Sequence, residues 1–154
     1  MASLLALDLG TTLGWAAETE KGIFSDTVAL KSKQIESHSY RFIAFENFLA
    51  SIFQSHNGFS LVIFEEVKAH KGVFASHCYG GFLATLTSFL DRRKTPYKGF
   101  SVGSIKKFIC GKGNASKEEV IESLKSKGHS PKDDNEADAL ALLLLYKSLC
   151  QNCI

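Results

Sequence analysis

Short apolar runs separated by glycine turns predict three strands near the start of the chain. The first covers residues 3–9 and stops at Gly10, and the next two cover residues 13–18 and 23–31. Short, mostly apolar runs bounded by turn residues are typical of strands that are buried in a sheet. Because only tight turns separate the three runs, we expect them to form an antiparallel meander.

The rest of the chain alternates between helical patterns and two further strand-like runs. Apolar runs over residues 59–67 and 97–102 predict a fourth and a fifth strand. Apolar residues at spacings of three and four predict helices around these strands, over residues 37–55, 72–92, 104–109, 116–128 and 133–149. The pair Gly80-Gly81 lowers the helical propensity in the middle of its segment, where it marks either a break or a close helix contact.

The order of these elements predicts an α/β fold. The fourth and fifth strands each follow a helical crossover, so we expect them to lie parallel to the first strand. The result is a mixed five-stranded sheet, with a three-stranded antiparallel meander plus two parallel strands, flanked by helices. A chain of 154 residues suits one core, so residues 1–154 are expected to form a single domain.

Acidic residues stand at the ends of two predicted strands and inside the last helix. Asp8 ends the first apolar run, Glu65 and Glu66 end the fourth, and Asp138 lies in the apolar C-terminal helix. The carboxyl ends of parallel strands share one edge of a sheet, which is where α/β proteins place their sites. Carboxylates that converge there repel one another unless a cation lies between them, and a pair of divalent metal ions is the usual occupant.

Structural roles are the alternative for some of these acids. Asp8 could cap the turn that follows it, although its position after so apolar a strand favours a functional role. Since side chains alternate along a strand, one of Glu65 and Glu66 should point into the site and the other away from it. For Asp133 and Glu136 we favour a helix-capping box over a functional role.

Positive charge is concentrated in one part of the chain. Residues 92–132 hold eleven Lys or Arg against three acids, a balance of +8, whereas residues 1–91 carry six bases and nine acids, a balance of −3. A basic segment beside an acidic metal site suits a polyanion held against the metal. For any single lysine, a solvated surface position is the favoured interpretation.

Several classes of protein are not indicated by the composition. No stretch approaches the roughly 20 apolar residues of a membrane span, and no basic leader precedes the first strand. The four cysteines lack the spacing of a disulfide framework, and Cys150 and Cys153 form a lone C-x-x-C without the second pair of a zinc site. We therefore expect a cytoplasmic protein with reduced thiols and no membrane partner.

Three segments in order resemble the RuvC-type Holliday-junction resolvases of the RNase H-like nuclease superfamily. They are Ile63-Phe64-Glu65-Glu66-Val67, the stretch from Ile105-Lys106-Lys107 through Gly111-Lys112-Gly113-Asn114-Ala115-Ser116-Lys117, and Glu136-Ala137-Asp138-Ala139-Leu140-Ala141. The resemblance covers nearly the whole chain and implies an RNase H-like fold. It also implies two Mg²⁺ ions in each active site, for which Mn²⁺ can substitute.

The resemblance assigns the metal ligands position by position. Asp8 matches the first-strand aspartate, Glu65 the fourth-strand glutamate and Asp138 the aspartate of the last helix. The family's remaining ligand lies three residues before that aspartate, and here this position is Asn135 rather than an acid or a histidine. Asp134, one residue earlier, lies on the same helix face and is the alternative fourth ligand.

The resemblance also implies roles for lysines. Lys106 and Lys117 match positions near the scissile phosphate or the DNA backbone, and the full set of expected DNA contacts is Lys106, Lys107, Lys112, Lys117, Lys68 and Lys71. Family members often carry an aromatic residue shortly after the strand-four glutamate, whereas here the nearest aromatic is Phe74. His70, close to Glu65 in the sequence, is a further candidate for a proton donor or DNA contact.

Together these features predict an Mg²⁺-dependent endodeoxyribonuclease that cuts four-way junctions or other branched DNA, in DNA recombination and repair. One alternative is a nuclease of the same fold that acts on forks, flaps or RNA. Another is a nucleotide-binding ATPase lobe, because Asp8-Leu9-Gly10-Thr11-Thr12 is similar to an actin-type phosphate loop. Since a four-way junction presents two symmetric strands, we expect a homodimer that pairs through the helix over residues 73–90.

Overall fold

The computed structural model describes residues 3–31 and 37–152, and the predicted thiol Cys153 lies outside the described residues. Five strands and five helices are present in this part of the chain. They are β1 (Leu4–Asp8), β2 (Thr12–Thr19), β3 (Gly22–Ala29), α1 (Tyr40–Ser55), β4 (Leu61–Glu66), α2 (Val73–Arg92), β5 (Tyr97–Ser101), α3 (Val102–Cys110), α4 (Lys117–Ser126) and α5 (Asp134–Gln151). Every predicted element is found, with ends that differ by a few residues.

The strands form one mixed sheet in the order β3-β2-β1-β4-β5. β1 pairs antiparallel with β2 and parallel with β4, β2 pairs antiparallel with β3, and β4 pairs parallel with β5. The predicted meander and both parallel strands are therefore confirmed. β1 lies at the centre of the sheet, and the C-terminal ends of β1 and β4 lie side by side.

Two apolar cores cover the two faces of the sheet. Alternate residues of β1 enter different cores, since Leu4 and Ala6 face α3, α4 and α5, whereas Leu5 and Leu7 face α1 and α2. β4 divides in the same way, with Ile63 on the α5 side. This alternation sets the direction of the acidic residues that follow each strand.

Helix α2 runs without interruption through Gly80-Gly81, so of the two alternatives for this pair the break is excluded. Gly81 permits close packing instead, because a Cβ atom there would lie 2.3 Å from Cζ of Phe42 on α1. The 20-residue α2, with mean hydropathy 1.2, is long and apolar enough to cross a membrane, which corrects the expectation that no stretch approaches a span. This is weak evidence for a membrane segment, because core helices pass the same test, and Phe82 and Leu86 of α2 are buried in the core.

The caps of α4 and α5 differ in one respect. Ser116 and Glu119 form a capping box at the start of α4. Asp133 caps α5 as predicted, by accepting a hydrogen bond from the backbone N–H of Glu136. The Glu136 carboxylate does not complete a capping box, because it bonds Ser25 and the backbone of Lys132 instead and is buried.

Candidate metal centre

Asp8 and Glu65 reach the same side of the sheet because of their strand positions. Asp8 continues the alternation of Leu4 and Ala6, and Glu65 continues that of Ile63, so both side chains point towards α5. Glu66 has the opposite parity and is exposed. Glu65, which the resemblance assigns to the site, therefore lies on the same side of the sheet as Asp8, and Glu66 points away.

Asp138 completes the group from α5. One carboxylate oxygen from each of Asp8, Glu65 and Asp138 lies within 4.8 Å of the other two. The start of α5 reaches the sheet because Gly14 of β2 has no side chain, and a Cβ atom there would lie 1.9 Å from the carbonyl oxygen of Asn135. Gly14 is also the residue paired with Asp8 across the β1–β2 ladder.

The three carboxyl groups hold protons more tightly than isolated acids. Burial, together with the negative charges of Glu65 and Asp138, raises the pKa of Asp8 to about 9. Burial and the charges of Glu65 and Asp134 raise the pKa of Asp138 to about 7. Burial also raises the pKa of Glu65, against the opposing effects of a hydrogen bond with Asp8 and the positive charge of Lys106. A divalent cation would remove this repulsion.

The donor set fits a hard divalent cation. Carboxylate oxygens are the ligands that Mg²⁺ and Mn²⁺ prefer, and three of them converge here without a cysteine or histidine in the group. Burial first, and then the mutual repulsion of the acids, raise the pKa values of Asp8 and Asp138, and a bound cation would favour their ionised forms. The arrangement can therefore hold metal ions at the carboxyl edge of the parallel strands.

The two candidates for a fourth ligand occupy different positions. Asp134 lies outside the converging group, and its Oδ2 pairs with Nζ of Lys117 at 2.6 Å. This contact lowers the pKa of Asp134 and raises that of Lys117, so both groups remain charged. Asn135 is half-buried, with its backbone against Gly14. The charge of Asp134 nevertheless acts on Asp8 and Asp138.

The predicted lysines divide into three groups by their surroundings. Lys106 and Lys117 are close enough for their charges to lower the pKa of Asp138. Lys112 pairs with Glu119 at 2.6 Å, one turn into α4. The remaining candidates Lys107, Lys68 and Lys71 are exposed, and the last two lie in the loop between β4 and α2.

Sequence reasoning missed a tyrosine that holds the end of β4. The Tyr79 hydroxyl accepts a hydrogen bond from the Val67 N–H (3.1 Å) and donates one to the Glu65 carbonyl (3.0 Å). The His70 ring lies 4.9 Å from the Tyr79 ring, and its buried Nε2 has no hydrogen-bond partner among the described residues. Nothing in the spacing of Tyr79 and Glu65 along the chain signals this contact.

Comparison with solved structures identifies the architecture. The structure of Thermus thermophilus RuvC in complex with a Holliday junction substrate superposes with a TM-score of 0.80 at 20% identity, over 97% of this chain and 95% of that one. The chain has the RuvC fold. A second T. thermophilus RuvC structure matches with a TM-score of 0.76 at 20% identity, over the same shares of the two chains.

The crystal structure of the yeast mitochondrial Holliday junction resolvase Ydc2 is a more distant match. Its TM-score is 0.59 at 12% identity, over 98% of this chain and 84% of that one. No protein-family model and no curated protein matches the sequence. The RuvC-type fold that three short sequence segments implied is thus confirmed by the three-dimensional structure.

Proposed function

We propose that this protein is a metal-dependent, structure-specific DNA endonuclease that cuts four-way junctions or other branched DNA. The observation that carries the proposal is the convergence of Asp8, Glu65 and Asp138 at one edge of a RuvC-fold sheet. Buried acids of this kind are costly unless they bind a cation. The similar T. thermophilus structure contains a Holliday junction substrate, which supports branched DNA as the substrate class.

The chain's own residues supply the metal site and part of the charge compensation. Asp8, Glu65 and Asp138, with either Asp134 or Asn135, would hold two Mg²⁺ ions, and Mn²⁺ would bind the same oxygens. When bound, such metal ions lower the pKa of the attacking water and compensate negative charge on the phosphate. The carboxyl groups must lose the protons that their raised pKa values retain before they can serve as ligands.

Lys106 and Lys117 would face the phosphate that is cut. Both lie near the acidic group, and Lys117 already approaches it through its contact with Asp134. A phosphate entering the site would compete with Asp134 for the Lys117 ammonium group. In the transition state, these two cations would stabilise the charge on phosphorus-bound oxygens. Water attacks phosphorus in line, the P–O3′ bond breaks, and no covalent enzyme intermediate is needed.

The basic segment over residues 92–132 would bind the DNA backbone. It contributes the cations next to the acids, and Lys107, Lys112 and Lys117 are exposed to solvent. In this role Lys68 and Lys71 extend the surface on the β4 side of the site. Such contacts position DNA without reading its sequence, so they fit recognition of shape.

A panel of labelled substrates tests the proposal. The protein is incubated with a four-way junction, a fork, a flap, linear duplex and an RNA–DNA hybrid, in Mg²⁺ and in EDTA, with ATP hydrolysis measured in parallel. We expect Mg²⁺-dependent cuts in the four-way junction and little cutting of linear duplex. Cutting restricted to forks, flaps or hybrids would retain the nuclease and replace the substrate, while ATP hydrolysis without any cutting would support the ATPase alternative.

A further inference from the structure

A second group of polar contacts joins α5 to the edge strand β3, outside the acidic group itself. Its centre is Glu136, which is 7% exposed and is the buried charged residue of the described chain. Ser25 of β3 donates a hydrogen bond to its Oε1 (2.7 Å), and the Lys132 N–H donates one to its Oε2 (2.9 Å). Both carboxylate oxygens are therefore satisfied inside the protein.

The residue that caps α5 joins the same network. Oδ1 of Asp133 accepts from the Glu136 N–H (2.8 Å), and Oδ2 accepts from the Thr27 hydroxyl (2.7 Å). Lys132 also forms an ion pair with Asp26. Three consecutive residues of β3 thus bind the segment that begins α5.

This network is coupled to the candidate metal centre through the helix. Glu136 precedes Asp138 by two residues, which places their side chains about 200° apart around an α-helix. Glu136 can therefore face β3 while Asp138 faces Asp8 and Glu65. The contact between Gly14 and Asn135 leaves little room for the helix to shift on the sheet. The position of Asp138 relative to Asp8 consequently depends on how this first turn is held.

We propose that Glu136 is a positioning residue, which holds the first turn of α5 on β3 so that Asp138 meets Asp8 and Glu65 at metal-binding distance. This inference rests on the proposed function. A buried carboxylate is a costly way to attach a helix to a sheet, and apolar residues would do so at lower cost. Its Oε1 is held by Ser25 on β3 and its Oε2 by the backbone of Lys132 just before the helix, so the carboxylate ties the first turn of α5 to the edge strand.

The test compares metal affinity with stability. Glu136→Gln leaves one acceptor oxygen, Ser25→Ala removes one donor, and Ser25→Thr retains a hydroxyl. Binding of Mn²⁺ is measured by titration calorimetry, together with the melting temperature in EDTA and kcat and KM for junction DNA. We expect the first two variants to bind Mn²⁺ about tenfold to a hundredfold more weakly, the range for groups that orient metal ligands, and Ser25→Thr to recover most of the affinity.

The matched control is Glu18→Gln. The Glu18–Lys147 ion pair likewise joins a strand to α5, but the strand is β2 and the contact lies at the far end of the helix from Asp138. The Glu18→Gln variant should have a lower melting temperature and an unchanged Mn²⁺ affinity. Glu136→Gln and Ser25→Ala variants that lose only stability, as this control does, would overturn the inference while leaving the nuclease proposal intact. If the wild-type protein itself binds no Mn²⁺, both proposals fail together.

Discussion

At the scale of single residues, the direction in which each acid points decides its chemistry. Glu65 and Glu66 are neighbours of identical type, yet Glu65 joins the group with Asp8 and Asp138, whereas Glu66 faces solvent. Strand alternation is the whole cause of the difference. The pair therefore offers a variant and a matched control one residue apart.

Removing any one of the three converging acids should stop cutting without loss of DNA binding. Asp8→Asn, Glu65→Gln and Asp138→Asn keep the side-chain shape but remove a charged ligand, so we expect the cleavage rate to fall by about 10²–10³-fold or more. Glu66→Gln should retain the wild-type rate. Single-turnover cleavage of labelled junction and a gel-shift assay measure the two properties, and full activity in one variant would exclude that acid from the site.

The metal-free protein should become less stable as the pH rises. The pKa of Asp8 is raised from 3.8 to about 9, and the pKa of Asp138 is raised from 3.8 to about 7. Above the unfolded pKa of 3.8 and up to these raised values, the folded state therefore binds more protons than the unfolded state. Its free energy of unfolding therefore falls as pH increases from about 4 to 9. Melting temperatures in EDTA at pH 5 and pH 8 measure this slope.

The Asp8→Asn variant and added Mg²⁺ show whether this pH dependence arises from the three converging acids. Asp8→Asn should flatten the slope and raise the melting temperature at pH 8, because asparagine does not ionise in the unfolded state and so takes up no proton on folding. Mg²⁺ should stabilise the wild-type protein more at pH 8 than at pH 5, since metal binding displaces the retained protons. A melting temperature that rises with pH in EDTA would show that the acids are not buried together as described.

At the scale of elements, the candidate metal centre depends on how closely α5 approaches β2. Gly14 makes this approach possible, since a Cβ atom there would collide with the backbone of Asn135 at 1.9 Å. Backbone atoms cannot move aside as a flexible side chain can. A small change in β2 therefore acts on the position of Asp138.

Gly14→Ala should displace α5 and weaken metal binding. We expect a loss of about 1–3 kcal/mol in the free energy of unfolding, the usual cost of overpacking, together with weaker Mn²⁺ binding. Gly103→Ala is the control, because a Cβ atom at this helical position meets nothing within 4 Å. Urea denaturation and Mn²⁺ titration measure both effects, and an unchanged Mn²⁺ affinity in Gly14→Ala would contradict the expected displacement.

The basic segment over residues 92–132 should govern DNA affinity. Lys112→Ala and Lys117→Ala should each weaken binding to all branched substrates alike, because they remove contacts to phosphate rather than to bases. Each lost contact should reduce the slope of log affinity against log salt by about 0.9. Fluorescence anisotropy at several salt concentrations measures the slope. Lys21→Ala, in the β2–β3 turn, is the control, and a salt-independent affinity would place the DNA elsewhere.

At the scale of the whole molecule, the expected homodimer rests on less of α2 than its sequence indicated. Phe82, Leu86 and Phe89 lie in the protein's own core, and Gly81 contacts Phe42. These residues are therefore not available as surface for pairing with a second copy. The large apolar side chains of α2 that remain exposed lie in its first turn.

Pairing should involve that first turn. Val73 and Phe74 are 70% and 64% exposed, and Ile43 of α1 is 56% exposed. Large exposed apolar side chains of this kind are typical of protein interfaces. We expect a dimer of this 16.9 kDa chain in sedimentation at micromolar concentration. Phe74→Glu should shift it towards monomer, whereas Leu149→Glu, at the end of α5, should not. A monomer with and without junction DNA would favour a fork or flap substrate.

The linear pattern of residues by itself determined the elements, their order and the three acids of the centre. The spacing of apolar residues over a short window predicts buried strands and amphipathic helices, and helical crossovers make β4 and β5 parallel to β1. Strand alternation shows that only one of Glu65 and Glu66 can point into the site, and the resemblance to the RuvC-type resolvases implied Glu65. Apart from that choice, each of these inferences needs only local spacing or a general rule of chain topology, so the sequence was sufficient.

Only the tertiary structure decided how the acidic group is held in place. The Glu136–Ser25 hydrogen bond joins residues 111 positions apart, and the Tyr79 hydroxyl on α2 contacts the Glu65 carbonyl on β4. Local spacing assigned Glu136 to a capping box, but the side chain turned to β3 because a buried carboxylate takes the donors that packing brings to it. Such hydrogen bonds form only if the packed elements lie at the right distance to within about an ångström. The pattern of residues along one element gives no information about its distance from another element.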